Sequence, residues 1–138
     1  MKSKILVTGG SGMVGQSLKK ILPQAKFVSS KDCDFSKRGD TIDFFNDIKP
    51  DIVIHAAARV GGIVANMSSP VEFFEDNIYI NTNVCSASYK SGVKKFIGVL
   101  STCIYPDNVE NTLYPMKENL LFEGPPPKQN FSYAYAKR

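Results

Sequence analysis

The sequence predicts an α/β protein built on a doubly wound parallel sheet, and two observations carry that prediction. Short apolar runs alternate along the chain with segments whose apolar residues recur at helical spacing. A glycine-rich turn, Gly9 to Gly15, stands between the first apolar run and the first helical segment. Alternation of this kind favours parallel strands joined by right-handed crossovers.

The first half of the chain supplies the beginning of this pattern. Ile5–Val7 is a continuous apolar run, which is typical of a strand buried on both faces. Residues 14–22 carry apolar side chains at helical spacing until Pro23 ends the segment. The other predicted elements of this half are a strand over residues 26–28, a helix from Asp40 to Lys49, and a strand over residues 51–54.

The second half continues the alternation and then breaks it. Ser69-Pro70 predicts a helix entry, with a capping residue followed by Pro at the first helical position, and this helix is expected to reach about Tyr89. Residues 96–100 predict a fourth strand, and a last helix begins near Phe131. The Pro-rich residues 105–130 between them form a loop that faces a substrate or, alternatively, a surface excursion.

Composition narrows the class of protein. Of the 138 residues, 43% are hydrophobic and 22% charged, which is typical of one folded domain and argues against disorder. The net charge of +4 is spread along the chain, so no basic groove for nucleic acid is expected. Three separated cysteines and one histidine, His55, argue against a disulfide scaffold or a metal centre. No segment is apolar enough for a signal peptide or a membrane span, so a reducing cytoplasm is expected.

The glycine turn predicts a Rossmann-like site for a dinucleotide. Gly9 permits the tight turn, Gly12 lets the backbone approach a pyrophosphate, and Gly15 lets the helix pack on the strand. Free N–H groups at the start of the helix hold the anion. The alternative is a tight turn that binds nothing.

The residues after the second strand bear on the identity of the cofactor. An NAD site usually places a carboxylate there for the ribose 2′-hydroxyl, whereas this chain has Ser29-Ser30-Lys31, with Asp32 only after the basic residue. A hydroxyl and an ammonium suit a 2′-phosphate, so NADP(H) is expected, with a solvated turn as the alternative. The small residues Ala56–Ala58 leave room for a ligand, and His55 before them is expected to be a packed residue.

Tyr133 and Lys137 predict reductive chemistry. They are four residues apart, so they share one face of the last helix. A nearby ammonium favours tyrosinate, so the pKa of Tyr133 is expected to be lowered. Such a tyrosine gives its proton to a carbonyl oxygen while a nicotinamide delivers hydride. Ser101, expected at the end of the fourth strand, is placed to hydrogen-bond the same oxygen.

Together these residues resemble the extended short-chain dehydrogenase/reductase family. Thr8 to Gly15 matches its T-G-x-x-G-x-x-G fingerprint, and Ser101, Tyr133 and Lys137 match its catalytic set. A narrower resemblance, to members that act on GDP-bound sugars, lies in Ala57–Ile63, Ser101–Pro106 and Asn130–Arg138.

The resemblance implies an activity. The matching members epimerise GDP-4-dehydro-6-deoxy-D-mannose at C3 and C5 and then reduce C4 with NADPH. The resemblance implies that Cys103 is the base, since a thiolate can remove a proton next to a carbonyl; spacing alone predicts a buried small residue there. It also implies adenine contacts at Asp34 and Phe35, and a homodimer as one option. Asn77 and Asn81 are expected either to brace the catalytic strand or to lie on a helix surface.

The predicted site residues are then as follows. The catalytic residues are Ser101, Cys103, Tyr133 and Lys137, and no residue is assigned to a metal. The cofactor-binding residues are Gly9, Ser11, Gly12, Met13, Val14, Gly15, Ser30, Lys31, Asp34, Phe35, Ala56, Ala57, Ala58, Tyr133 and Lys137.

Two other functions stay open on the sequence: another epimerase or reductase of the family acting on a different nucleotide sugar, and a non-catalytic NADP-binding module. Cys103 discriminates, since a simple 4-epimerase has no need of a thiolate there. Family members continue past Lys137, so residues 1–138 are expected to be an incomplete NADP-binding domain that lacks the substrate domain and is inactive alone.

Overall fold

A computed structural model describes residues 3–107 and 114–138. The strands are β1 Ile5–Thr8, β2 Lys26–Val28, β3 Ile52–His55 and β4 Lys95–Gly98. The helices are α1 Met13–Ile21, α2 Arg38–Ile48, α3 Ile63–Ser68, α4 Pro70–Lys90 and α5 Phe131–Lys137. Short 3₁₀ turns cover Thr102–Ile104, Glu118–Phe122 and Lys128–Asn130. Within these ranges, no helix combines the length and the apolar character that a membrane span requires.

The strands form one parallel sheet with the order β2-β1-β3-β4. β1 lies between β2 and β3, so Thr8 at its end is aligned with Val28 on one side and with His55 on the other. His55 is in turn opposite Gly98 of β4. The strand order reverses between β1 and β3, and sheets of this kind bind ligands beyond the strand ends at such a point. The predicted doubly wound parallel fold is therefore confirmed.

Unit 1, the first of two compact units in the chain, comprises Met1–Ala58 and Tyr79–Val99. It contains the sheet, α1, α2 and the second part of α4. Leu6, Val53 and Val84 are fully buried, and each contributes about 1.5–3 kcal/mol through burial. The buried core of unit 1 consists of Leu6, Val28, Cys33, Phe35, Phe45, Val53, Val84 and Ala87.

Unit 2 comprises Arg59–Ile78 and Leu100–Arg138. It contains α3, the first part of α4, the 3₁₀ turns and α5, whose Ala134, Ala136 and Lys137 are buried. Val71 and Phe74 of α4 stay 62% and 41% exposed. Of the predicted Pro-rich loop, residues 108–113 lie outside the described residues, and a substrate-facing role for the loop stays a prediction.

Several element boundaries differ from those predicted. α2 begins at Arg38 rather than Asp40, because the extended backbone of the N-cap falls at Lys37 and no side chain caps the helix. β4 ends at Gly98, so Ser101 lies three residues beyond the strand rather than at its end. Helix α3 is an addition to the predicted elements, since six residues are too few to display a helical period.

Candidate active site

The glycine turn of unit 1 joins β1 to α1. Gly9 has φ +72°, in the left-handed region that side chains rarely adopt. A Cβ at Gly9 would lie 2.7 Å from the Ala56 carbonyl carbon and from the Ala57 nitrogen, so the turn packs on the backbone after β3. A Cβ at Gly15 would collide with the Gly9 carbonyl oxygen. The turn-forming role of Gly9 and the packing role of Gly15 are confirmed, and their binding of a cofactor stays a prediction.

The N-terminus of α1 presents an open face beside this turn. Gly12 is the N-cap residue, and a Cβ there would approach only the Gly9 carbonyl oxygen, at 3.3 Å. In the described structure no side chain caps α1, and its first turn holds no acidic residue. The first N–H groups of a helix and the positive end of its dipole favour an anion. These residues therefore fit the pyrophosphate of a dinucleotide.

Hydrogen-bonded side chains hold the ends of β1 and β3 together. His55 is 3% exposed, with Nδ1 2.8 Å from Thr8 Oγ1 and Nε2 3.1 Å from Asn81 Oδ1. Since an amide oxygen only accepts, Nε2 donates to Asn81, and Nδ1 accepts from the Thr8 hydroxyl. Thr8 Oγ1 in turn accepts the Ala57 N–H at 3.2 Å. His55 is a packed residue, as predicted, and Asn81 braces β3 through it.

The turn after β2 contains the residues that bear on cofactor choice. The Asp32 carboxylate accepts the Ser29 N–H at 2.7 Å and the Ser29 hydroxyl at 2.8 Å. These two bonds, the backbone one first, lower the pKa of Asp32. One oxygen of this carboxylate is therefore engaged within the turn, and Ser30, Lys31 and Asp32 are all exposed.

Asp34 and Phe35, next along the chain, point in different directions. Asp34 helps to line a cavity of about 340 Å³, and its pKa is lowered mainly by the Ser36 hydroxyl. Phe35 is 4% exposed and packs edge-on against Phe44, with 5.9 Å between ring centroids. Only Asp34 of this pair reaches the cavity, and the adenine contact stays a prediction. The cavity is lined by Ser30, Lys31, Asp32, Cys33, Asp34, Asp40, Phe44 and Asp47.

In unit 2, the 3₁₀ turn Thr102–Ile104 presents the Cys103 thiol. Ser101 caps this turn, its Oγ accepting the Cys103 N–H at 3.3 Å. Asn130 Nδ2 lies 3.5 Å from Cys103 Sγ and donates to it. Cys103 is a free thiol of intermediate exposure, so it is not the buried small residue that spacing alone predicts.

Tyr133 lies on the first turn of α5. Burial, and after it the charge of Cys103, raise the pKa of Tyr133. The predicted lowering of this pKa is therefore wrong, and Tyr133 keeps its proton at neutral pH. A neutral phenol can still donate a proton, which is the role predicted for it. Lys137, one helical turn later, is 6% exposed.

Cys103 and Tyr133 line one cavity of about 320 Å³. Asn66, which also lines it, is 5% exposed and donates from Nδ2 to the carbonyls of Gly61 at 3.1 Å and Gly62 at 3.2 Å. Asn66 Oδ1 is buried and has no hydrogen-bond partner among the described residues, which costs about 1–3 kcal/mol. The remaining lining residues are Val60, Gly61, Gly62, Ile63 and Asn130.

Asn77 anchors the backbone that leads into this cavity wall. It is fully buried, accepts the Arg59 N–H at 3.0 Å, and donates to the carbonyls of Arg59 at 2.9 Å and Phe73 at 2.7 Å. The Arg59 guanidinium pairs with Asp76 at 2.5 Å and lies 4.8 Å from the Phe73 ring centroid. Asn77 is therefore a buried anchor, and its alternative placement on a helix surface is wrong.

The predicted residues fall into a group within each unit. Unit 1 brings the glycine turn against Ala56 and Ala57, and unit 2 brings Cys103 and Tyr133 to one cavity, with Ser101 hydrogen-bonded beside them. Sequence reasoning missed Gly10, whose N–H donates to Val28 at 2.7 Å and where a Cβ would lie 2.8 Å from Phe27 Cβ. It also missed Asn66 and Asn130, for which the sequence carries no local signal.

The fold and the glycine turn define the chain as an α/β protein of the Rossmann type. The family model described as "NAD dependent epimerase/dehydratase family" matches residues 5–138. The chain belongs to this family, and the predicted membership of the extended dehydrogenase/reductase group is confirmed.

Relatives of known name add to this assignment. A GDP-L-fucose synthase of Dictyostelium discoideum is 46% identical, over 99% of this chain and 44% of the relative. The structure of a GDP-L-fucose synthetase from Naegleria fowleri bound to NADP has a TM-score of 0.87 and 43% identity, covering 99% of this chain and 45% of that one. A GDP-mannoheptose C4 reductase from Campylobacter jejuni with NADP bound has a TM-score of 0.90 and 29% identity, covering 99% and 45%. The chain thus spans less than half the length of these relatives.

Proposed function

We propose that this chain is the N-terminal part of an NADPH-dependent enzyme that converts GDP-4-dehydro-6-deoxy-D-mannose to GDP-L-fucose. The observation that carries the proposal is the cavity of unit 2, where a thiol and a phenol lie together at Cys103 and Tyr133. The relatives named GDP-L-fucose synthase support the substrate, and the relative bound to NADP supports the cofactor.

Cys103 has the role of base in the epimerisation. Its thiolate removes the proton from C3 or C5, both of which are next to the C4 carbonyl, and the electron pair moves onto the carbonyl oxygen. Asn130 donates to the sulfur, and an N–H donor stabilises a charged thiolate more than a neutral thiol. Reprotonation from the other side of the sugar ring, by an acid outside residues 1–138, completes the inversion.

Tyr133 has the role of proton donor in the reduction. When a reduced nicotinamide cofactor is bound, it supplies the hydride that reduces C4. The Tyr133 phenol gives its proton to the C4 oxygen, which its raised pKa permits at neutral pH. The ammonium of Lys137 on the same helix stabilises the tyrosinate that remains. The Ser101 hydroxyl hydrogen-bonds the C4 oxygen of the sugar.

The cofactor is assigned to residues of unit 1. The N–H groups at the start of α1 hold the pyrophosphate, while Ser30 and Lys31 hold the 2′-phosphate of NADPH. The exposed ammonium of Lys31, which lines the cavity beside this turn, supports NADPH over NADH because it suits a 2′-phosphate.

The test is to identify the product formed by the protein at its natural length. GDP-4-dehydro-6-deoxy-D-mannose and NADPH are supplied, and GDP-L-fucose is expected. Cys103→Ser is expected to bind NADPH normally but to leave C3 and C5 uninverted, whereas Cys85→Ser, a matched change at an exposed thiol, is expected to behave as wild type. Full epimerisation by Cys103→Ser contradicts the role of this thiol.

A C4 reductase that does not epimerise is the second candidate, favoured by the likeness to the GDP-mannoheptose C4 reductase. The same experiment separates the two functions. A product reduced at C4, with the C3 and C5 configurations of the substrate retained in wild type, supports the second candidate.

A homodimer is the remaining part of the proposal. A groove of about 730 Å³ in unit 2 exposes apolar side chains of α4 and α5, and a second copy of the protein covers this face. Light scattering is expected to give a dimer for the natural-length protein and a monomer for Phe74→Glu. A monomeric wild type contradicts this part. The groove is lined by Pro70, Val71, Phe74, Glu75, Phe131, Ser132 and Tyr135.

A further inference from the structure

Arg138, directly after α5, binds two separate backbone carbonyl groups. Nε and Nη2 donate to the Ile104 carbonyl at 2.9 and 2.5 Å, and Nη1 donates to the Gly124 carbonyl at 3.1 Å. The guanidinium carbon lies 5.3 Å from the Tyr135 ring centroid and 5.9 Å from that of Phe122. One planar group therefore joins two distant points of the chain to α5.

These two carbonyls lie on either side of residues 105–123 in the sequence. Close to them in the sequence, the Asp107 N–H donates to the Pro125 carbonyl at 3.0 Å. This bond also joins the segment after Ile104 to the segment after Gly124. Ile104 is 4% exposed and is the last residue of the 3₁₀ turn that carries Cys103. The guanidinium therefore ties the turn that carries Cys103 to the helix that carries Tyr133.

We propose that Arg138 is a positioning residue, which holds the Cys103 thiol in register with the Tyr133 phenol at their common cavity. The inference rests on the proposed function, in which both groups act on one substrate. Arg138 acts through the Ile104 carbonyl and not on the reacting atoms. Lysine cannot replace it, because an ammonium is a point donor and lacks the planar fork that spans two carbonyls.

The first test compares Arg138→Lys with Arg38→Lys, a matched change at an exposed arginine of α2, in the protein at its natural length. Arg138→Lys is expected to lower kcat for the conversion of the keto sugar about tenfold or more, since small misplacements of reacting groups are costly. The Kd of NADPH is expected to stay within about threefold of wild type. An unchanged kcat, or a Kd of NADPH raised by the same factor as kcat is lowered, overturns the proposal.

The second test needs no substrate. The rate at which iodoacetamide alkylates Cys103 is measured by peptide mass spectrometry over a range of pH, with the exposed Cys85 of the same sample as reference. Arg138→Lys is expected to change the Cys103 rate about threefold or more and to leave the Cys85 rate unchanged. An unchanged Cys103 rate overturns the proposal. A wild type that does not convert the keto sugar contradicts the proposed function instead, and the alkylation rates still decide the role of Arg138.

Discussion

Asn130 donates from its side-chain nitrogen to the sulfur of Cys103, across 3.5 Å. Both residues line the cavity that also contains Tyr133, although Cys103 and Asn130 are far apart in the sequence. A thiol reacts as its thiolate, and a neighbouring N–H donor stabilises that charged form. The contact therefore links an uncharged amide to the reactivity of the cysteine.

Replacing this amide is expected to slow the chemistry of Cys103. Asn130→Leu keeps the approximate volume but removes the N–H donor to the sulfur. Alkylation of Cys103 and exchange of the C3 and C5 protons in D₂O are each expected to slow about tenfold, the effect of losing one hydrogen bond to a charged group. Gln129→Leu, the same loss of an amide one residue earlier, is the control. Equal rates in the two variants would exclude a role for Asn130.

Tyr133→Phe is expected to suppress hydride transfer about 10²–10⁴-fold, because the C4 oxygen loses its proton donor. NADPH oxidation in a single turnover measures this step, and proton exchange at C3 and C5 is expected to continue. Tyr89→Phe, at an exposed tyrosine of α4, is the matched control. Because burial raises the pKa of Tyr133, the donor stays protonated at neutral and mildly alkaline pH. Hydride transfer is therefore expected to show no loss from this group between pH 7 and about 9, and a tyrosine-dependent fall in that range counts against the assignment.

The order of the elements was accessible from the sequence because it depends on local features. Continuous apolar runs marked β1 and β3, and Pro70 marked the start of α4. The end of β4 was placed two residues late, since Leu100 continues the apolar run although it is 58% exposed beyond the edge strand. An apolar run records composition and cannot report where pairing with β3 ends.

The features of the site that the sequence did not predict depend on tertiary contacts, which residue types and spacing do not record. The direction of the Tyr133 pKa was wrong because Lys137, four residues away, is visible in the sequence, while burial and the approach of Cys103 are not. The orphaned Oδ1 of Asn66 follows from carbonyls at Gly61 and Gly62 that accept its N–H groups. No pattern of residue types records which backbone carbonyls a buried amide contacts in the folded chain.

The glycines of the turn are expected to separate stability from cofactor binding. Gly15→Ala forces a Cβ onto the Gly9 carbonyl oxygen and is expected to lower the free energy of unfolding by about 1–3 kcal/mol. Gly12→Ala meets that oxygen at 3.3 Å and is expected to lower it by under about 1 kcal/mol. The added methyl of Gly12→Ala lies at the N-terminus of α1, where the pyrophosphate is expected. The Kd of NADPH is therefore expected to rise about tenfold or more, which corresponds to a loss of about 1.4 kcal/mol in binding free energy. Urea unfolding and NADPH fluorescence measure the two effects, and unaltered NADPH binding by Gly12→Ala contradicts the predicted approach of the pyrophosphate.

Lys31 is expected to set the preference for NADPH over NADH. Asp34, Asp40 and Asp47 line the same cavity as Lys31. Without the Lys31 ammonium, these carboxylates would repel a bound 2′-phosphate. Lys31→Ala is expected to weaken NADPH binding about tenfold, from the loss of about 1.5 kcal/mol in a charged hydrogen bond, and to leave NADH unchanged. Lys20→Ala removes an equal charge from α1 and serves as the control. Parallel losses for the two cofactors would mean that Lys31 does not contact the 2′-phosphate.

Cys33 is expected to make the fold sensitive to alkaline pH. Its thiol is 8% exposed and donates to the Asp40 carbonyl at 3.7 Å. Burial first, and then the charges of Asp40 and Asp34, raise the pKa of Cys33 to about 11, from an ordinary value of 9.0. Between these two values the unfolded chain has lost the thiol proton and the native protein has kept it, so stability falls as pH rises through that window.

The variant Cys33→Ala isolates this contribution. At pH 7 it is expected to be less stable than wild type by about 1 kcal/mol, because a small cavity replaces the sulfur. As pH rises from 8 to about 10.5, wild type alone loses the contribution of the thiol, so the difference is expected to shrink by about 1 kcal/mol. Urea unfolding at a series of pH values measures the difference, with the exposed Cys85→Ala as control. A difference between wild type and Cys33→Ala that is constant with pH would show that the Cys33 thiol titrates alike in the native and unfolded chains.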